Sequence, residues 1–112
     1  MENLFMEAPT LDELTLLHAN ICQALGDPKR ILILYALHQQ PRYATQLAED
    51  LDMPQPTISR HLTVLRQRAL VTTKREGTAV IYTLTDPRII DILNNMRQVL
   101  RDTLTRQTDV LT

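Results

Sequence analysis

Glycine is scarce in this chain: Gly26 and Gly77 are the only two among 112 residues. No glycine-rich loop is available to cradle a phosphate. Tryptophan is missing and aromatic residues make up 4% of the chain. The core must therefore be aliphatic, and bases have few rings to stack on, which weighs against a single-strand binder built on aromatic platforms. The lone cysteine, Cys22, excludes an intrachain disulfide. No apolar run approaches a membrane span, and no basic-then-apolar leader opens the sequence. The expectation is a cytoplasmic protein without membrane association. No nucleophile–base pair or paired carboxylates stand at a useful spacing, so no enzyme is expected. Hydrophobic residues reach 44%, enough for one packed domain spanning 1–112, with residues 1–9 expected as a flexible N-terminal segment.

Charge of one sign is missing from two stretches. Residues 1–27 hold Glu2, Glu7, Asp12, Glu13 and Asp27 and no Lys or Arg. Residues 53–75 hold Arg60, Arg66, Arg68, Lys74 and Arg75 and no acid. The net charge of −1 thus hides a local basic footprint, and local charge governs attraction to DNA.

That basic stretch overlaps the most informative segment, residues 44–65. Apolar residues at 47, 51, 58, 62 and 65 give two short helices one buried face each, joined by a tight turn. The second helix keeps Gln55, Thr57, Ser59, Arg60 and Thr63 on its other face, an inventory for hydrogen bonds to base edges and phosphates. This is the helix-turn-helix arrangement for the major groove.

The flanks complete a mainly α fold with a small β-hairpin. Thr10 and Glu13 form a capping box for a first helix carrying Leu11, Leu14, Leu17, Ile21 and Leu25, which Gly26 is expected to end. Asp27-Pro28 starts a second, central helix, with Ile31, Leu32, Leu34, Tyr35 and Leu37, and Pro41 stops it. Residues 70–75 and 79–84 are rich in β-branched side chains around Glu76-Gly77-Thr78, which predicts a hairpin. A hairpin after a reading helix is a wing, and its tip, with Lys74, Arg75 and Thr78, reaches phosphate or the adjoining minor groove. Asp86-Pro87 opens a last helix whose seam includes Ile92, Met96, Val99 and Leu100. Four helices leave that seam little room, so it is expected to pack on another chain, with the first helix as co-packing element.

Three blocks occur in order: Ala24-Leu25-Gly26-Asp27-Pro28-Lys29-Arg30-Ile31-Leu32-Ile33-Leu34, then Gln55-Pro56-Thr57-Ile58-Ser59-Arg60-His61-Leu62, then Gly77 before Ile81-Tyr82-Thr83-Leu84. Together they resemble the ArsR/SmtB family of bacterial winged-helix repressors, over roughly residues 10–105. The resemblance implies a homodimer clamped through the first and last helices, a palindromic operator in double-stranded DNA, repression, and release by an inducer of unknown identity. It assigns base contacts to Gln55, Thr57, Ser59 and Arg60. Arg60 suits a guanine and Gln55 an adenine. Thr63, Arg66, Lys74 and Arg75 are cast as phosphate contacts, and His61 is expected to pack beneath the helix rather than touch phosphate.

The chain departs from that family where metals are sensed. A Cys-x-Cys pair at the start of the third helix is replaced by Tyr43 and Thr45. In the site that joins two final helices, Asp86 matches a ligand, but Arg88, Val99 and Asp102 stand at the others. These residues make a poor zinc site, and Arg88 is expected to pair with Asp86 or Asp102. The dithiol positions of redox-sensing relatives hold Tyr35 and Arg101. No metal or cofactor is expected. Cys22 is read as a small buried residue on the apolar face, with two sharper options open: a redox sensor at the dimer axis, or a zinc ligand with His18. The competing function is a winged-helix interaction module without operator binding.

Overall fold

The computed structural model describes residues 7–111, with side chains described through 108. The first six residues of the expected flexible segment lie outside the described residues. Five helices and a small sheet follow the expected order. Helix α1 covers Leu11–Leu17, α2 Pro28–Gln39, α3 Ala44–Asp50, α4 Gln55–Gln67 and α5 Arg88–Leu111. Strands β1 (Arg42–Tyr43), β2 (Val71–Glu76) and β3 (Ala79–Leu84) form one antiparallel sheet in the order β1-β3-β2.

Helix α1 is shorter than its apolar spacing predicts. Thr10 caps it, accepting the Glu13 N–H at 3.2 Å. After Leu17 the backbone widens into a π-helical turn, His18–Cys22, closed by the Gln23 N–H on the His18 carbonyl at 2.9 Å. The Asn20 side chain donates to the Leu16 carbonyl at 2.8 Å. A side chain competing for a ladder carbonyl bends helices. Gly26 does not adopt the left-handed cap conformation expected of it. Its need for glycine is close approach: a Cβ there would sit 3.2 Å from the Gln23 carbonyl oxygen.

Asp27 accepts the Lys29 N–H at 2.8 Å and Pro28 fills the first turn of α2. Ile33, Leu34, Ala36 and Leu37 of α2 are buried, whereas Leu32, expected inside, is 46% exposed. The chain leaves α2 before Pro41, and Arg42 ties the corner. Its guanidinium reaches the Ala36 carbonyl (3.3 Å), the Gln39 side chain (2.8 Å) and the Asp50 carboxylate at the end of α3. The two-residue strand β1 has no period of its own to read, and it turns the expected hairpin into a three-stranded sheet.

The turn between α3 and α4 is a Schellman motif. Asp52 takes a positive φ of 53°, its N–H reaches the Glu49 carbonyl (3.3 Å), and Met53 N–H reaches Ala48 (2.9 Å). The same motif ends α4. Ala69 sits at φ 60°, with Ala69 N–H on Arg66 (3.0 Å) and Leu70 N–H on Leu65 (2.9 Å). Leu47, Ile58, Leu62, Leu65 and Val71 close the core with α2, and Ile89, Ile90 and Leu93 seat the start of α5 on it. Among the described residues, no helix is long and apolar enough to cross a membrane.

Candidate nucleic-acid interface

Helix α4 is two-sided. Ile58, Leu62 and Leu65 are fully covered, while Gln55, Ser59, Arg60, Thr63 and Arg66 are exposed. Thr57 is half-buried beside them. The Thr63 hydroxyl donates to the Ser59 carbonyl at 2.9 Å, so that side chain offers an external partner its lone pairs and not its proton. No acidic residue lies on α4.

The wing stands beside this helix. Lys74 pairs across the ladder with Ile81, Arg75 with Val80 and Glu76 with Ala79, leaving Gly77-Thr78 as a two-residue turn. Gly77 has a φ of 62° and Thr78 stays out of the positive region. One positive φ at the first turn position is the II′ hairpin geometry, which matches strand twist. Lys74, Arg75 and Thr78 are all exposed. Glu76, the acid at the wing's end, accepts the Tyr43 hydroxyl at 2.8 Å. That bond raises the Tyr43 pKa and ties the wing to the start of α3.

A half-buried cation that spacing could not single out reaches α4 from α2. Arg30 donates through Nε to the Ala24 carbonyl (2.7 Å) and through Nη2 to the Gln23 carbonyl (3.0 Å). Its Nη1 lies 3.5 Å from His61 Nδ1 on α4 and 3.8 Å from Asp27. One rigid fork thus links the segment after the π-helical turn to the underside of the reading helix. His61 is half-buried, as expected. Burial lowers its pKa, and the Arg30, Arg60 and Lys29 cations lower it further against the opposing pull of Asp27. The sequence does carry one hint of Arg30: it stands on a helix that is otherwise apolar over most of its surface.

The remaining predicted residues separate into two groups. Leu11, Leu14, Leu17, Ile92, Met96, Val99 and Leu100 are exposed on the single chain, and Ile21 is half-buried. Cys22 is exposed, which corrects its reading as a buried residue on the apolar face. Leu11, Leu14 and Leu17 just before it are exposed as well, so Cys22 shares the exposure of this segment on the single chain. Arg88 pairs with Asp86 as expected: Nη2 lies 2.7 Å from Oδ2, Nε lies 3.1 Å from Oδ1, and the Arg88 backbone N–H adds a bond of 2.9 Å. These bonds hold the Asp86 carboxyl below its usual range. Asp102 accepts from Gln98 at 3.0 Å.

Comparison with known proteins bears on this geometry. Residues 27–73, the span from the α2 cap into the wing, match the family described as bacterial regulatory protein, arsR family. The HTH-type transcriptional repressor SmtB of Mycobacterium tuberculosis (strain H37Rv) is 33% identical over 94 residues, covering 80% of this chain and 70% of that protein. Other relatives differ in length, and the chain spans 62% of one and 85% of another. The crystal structure of M. tuberculosis Rv0081 superposes with a TM-score of 0.74 at 32% identity, over 85% of this chain and 96% of that one. The solution structure of Mb0332 from Mycobacterium bovis, described as a homodimeric winged helix-turn-helix DNA-binding domain, gives 0.71 at 26% identity, over 88% and 94%. A polar reading helix, a basic wing and these matches lead to one conclusion: the chain belongs to the ArsR family of winged helix-turn-helix, DNA-binding transcriptional regulators.

Proposed function

We propose that this chain is a homodimeric repressor that binds a palindromic operator in the cytoplasm. The observation that carries the reading is the outward face of α4, polar and free of acids, set beside an exposed basic wing. Gln55, Thr57, Ser59 and Arg60 read base edges, with Arg60 on a guanine and Gln55 on an adenine. Thr63, Arg66, Lys74, Arg75 and Thr78 hold phosphates and set the register. The two protomers meet through Leu11, Leu14, Leu17 and Ile21 of one seam and Ile92, Met96, Val99 and Leu100 of the other. The exposure of these leucines and the homodimer described for Mb0332 support that pairing. Two-fold symmetry then calls for two half-sites about one helical turn apart.

The reading also holds that the family's metal-sensing positions are lost. Tyr43 and Thr45 supply no thiolate, and the Asp86 carboxylate is already committed to Arg88. Titrating DNA from upstream of the chain's own gene, against a scrambled duplex, across a series of salt concentrations tests this function. Tight binding to the upstream DNA with a steep salt slope is expected, unchanged by mild oxidation of Cys22 and by zinc. Equal, weak binding to both duplexes would instead make the fold an interaction module.

A further inference from the structure

The contact between α2 and α5 does not close along its whole length. Ile90 and Leu93 bury the first turns of α5. One turn after Leu93 the α2-facing position is Arg97. Across from it α2 presents Pro28, Ile31, Leu32 and Tyr35, a single stripe at helical spacing. These five residues line an open groove of about 360 Å³, with Pro28, Leu32 and Arg97 exposed at its rim, a volume within the range of small-ligand sites. It shares no lining residue with the groove along the α5 seam.

The walls are apolar, and the polar groups at one end are fixed. The Arg97 guanidinium lies 5.4 Å from the centre of the Tyr35 ring. The Tyr35 hydroxyl donates to Asn94 Oδ1 at 2.6 Å, and Arg97 Nη1 donates to the same oxygen at 3.2 Å. Among the described residues no carboxylate lies within ion-pair distance of Arg97. Asp27, adjacent to the stripe, is turned to the Lys29 N–H and to Arg30. An oriented guanidinium above an aliphatic wall selects for charge at one end of a guest and for hydrocarbon at the other.

We propose that this groove binds a small organic carboxylate, its apolar body on Pro28, Ile31 and Leu32 and its anionic end on Arg97. Such a guest wedges α2 against α5. Arg30 lies between Pro28 and Ile31 in the chain and reaches His61 on the reading helix, so the wedge has a direct mechanical route to α4. The groove is then the inducer site of the regulator, an assignment that rests on the function proposed above.

The test begins without DNA. The full chain is titrated with phenylacetate, octanoate and the neutral analogue 2-phenylethanol while amide resonances are followed by NMR. Saturable shifts at Ile31, Leu32, Tyr35 and Arg97 are expected with a carboxylate, and binding of the alcohol is expected to be weaker by about fivefold or more. Arg97→Gln, with its fold confirmed by the same spectrum, should weaken the carboxylate by a similar factor. Leu32→Trp, which fills the groove from its rim, should do so independently. In a second step the saturating carboxylate should change affinity for the upstream DNA by about threefold or more in the unaltered chain and not in Arg97→Gln. No saturable shift at these residues below roughly 10 mM carboxylate, equal binding of the alcohol, or indifference to both substitutions overturns the site. Binding without any effect on DNA affinity overturns the inducer role. A chain that binds DNA but no carboxylate loses only this site, whereas one that binds carboxylate but no DNA refutes the regulator reading.

Discussion

The two ends of this molecule treat their apolar residues in opposite ways. Helix α4 hides Ile58, Leu62 and Leu65 completely, and apart from Pro56 its exposed side chains are polar. Helix α1 buries nothing, and α5 beyond Leu93 is no better covered: Leu11 is 79% exposed and Val99 61%. The reading end is finished within one chain. The other end leaves apolar surface that the described residues of one chain do not cover, and covering a side chain of this kind is worth about 1.5–3 kcal/mol. Under the proposed function, recognition and assembly fall at opposite ends, and substitutions should sort by end.

The sharpest break is at the clamp. Met96→Asp puts a carboxylate into the seam and should leave the core intact, since Met96 is 54% exposed in the single chain. Sedimentation velocity should show a monomer, and operator affinity should fall by roughly 100-fold or more as the second half-site is lost. A variant that stays dimeric would remove this seam from the interface.

At the reading end, Arg60→Ala should cost about 1–3 kcal/mol on the operator and relax preference at one base position, as measured by competition with substituted duplexes. Unlike Met96→Asp, it should leave the sedimentation profile untouched. Ala69→Gly addresses the scaffold alone. Ala69 holds a left-handed conformation at φ 60°, so glycine should stabilise the fold by about 1 kcal/mol in thermal unfolding without altering DNA affinity. Lys74→Ala should weaken specific and random DNA alike and lower the salt slope by about one.

The smallest effect concerns His61. Its folded pKa lies below the ordinary value of 6.5, so the unfolded chain binds more protons between the two values. The stability it contributes is complete above pH 6.5 and is lost as pH falls through the folded value. Thermal melts at stepped pH should show this decline, and His61→Gln should flatten it.

Much of this was legible in the sequence because it rests on local rules. Thr10, Asp27, Pro28 and Pro41 mark helix ends by capping chemistry, and alternation of β-branched residues around Gly77 marks the wing. The polar face of α4 follows from a 3.6-residue period. What escaped depends on contacts between distant residues or on broken periodicity. The strand Arg42–Tyr43 exists only because Tyr82 and Ile81 pair with it. The π-helical turn His18–Cys22 interrupts the period that the apolar spacing assumed, and Cys22 is exposed in a segment, Leu11–Cys22, that buries no residue within one chain. The left-handed residues at the two Schellman turns are Asp52 and Ala69, where glycine would have announced them. Arg30 gathers partners from three segments, and no spacing reveals that.

The central claim, a reader complete in one chain that acts only when clamped to a second, is tested most directly by the stoichiometry of the DNA complex. Sedimentation equilibrium of the chain with its upstream duplex should give two protomers per duplex, with affinity collapsing when protein is diluted below the dimer dissociation constant. One protomer per duplex, bound as tightly at every dilution, would contradict the account.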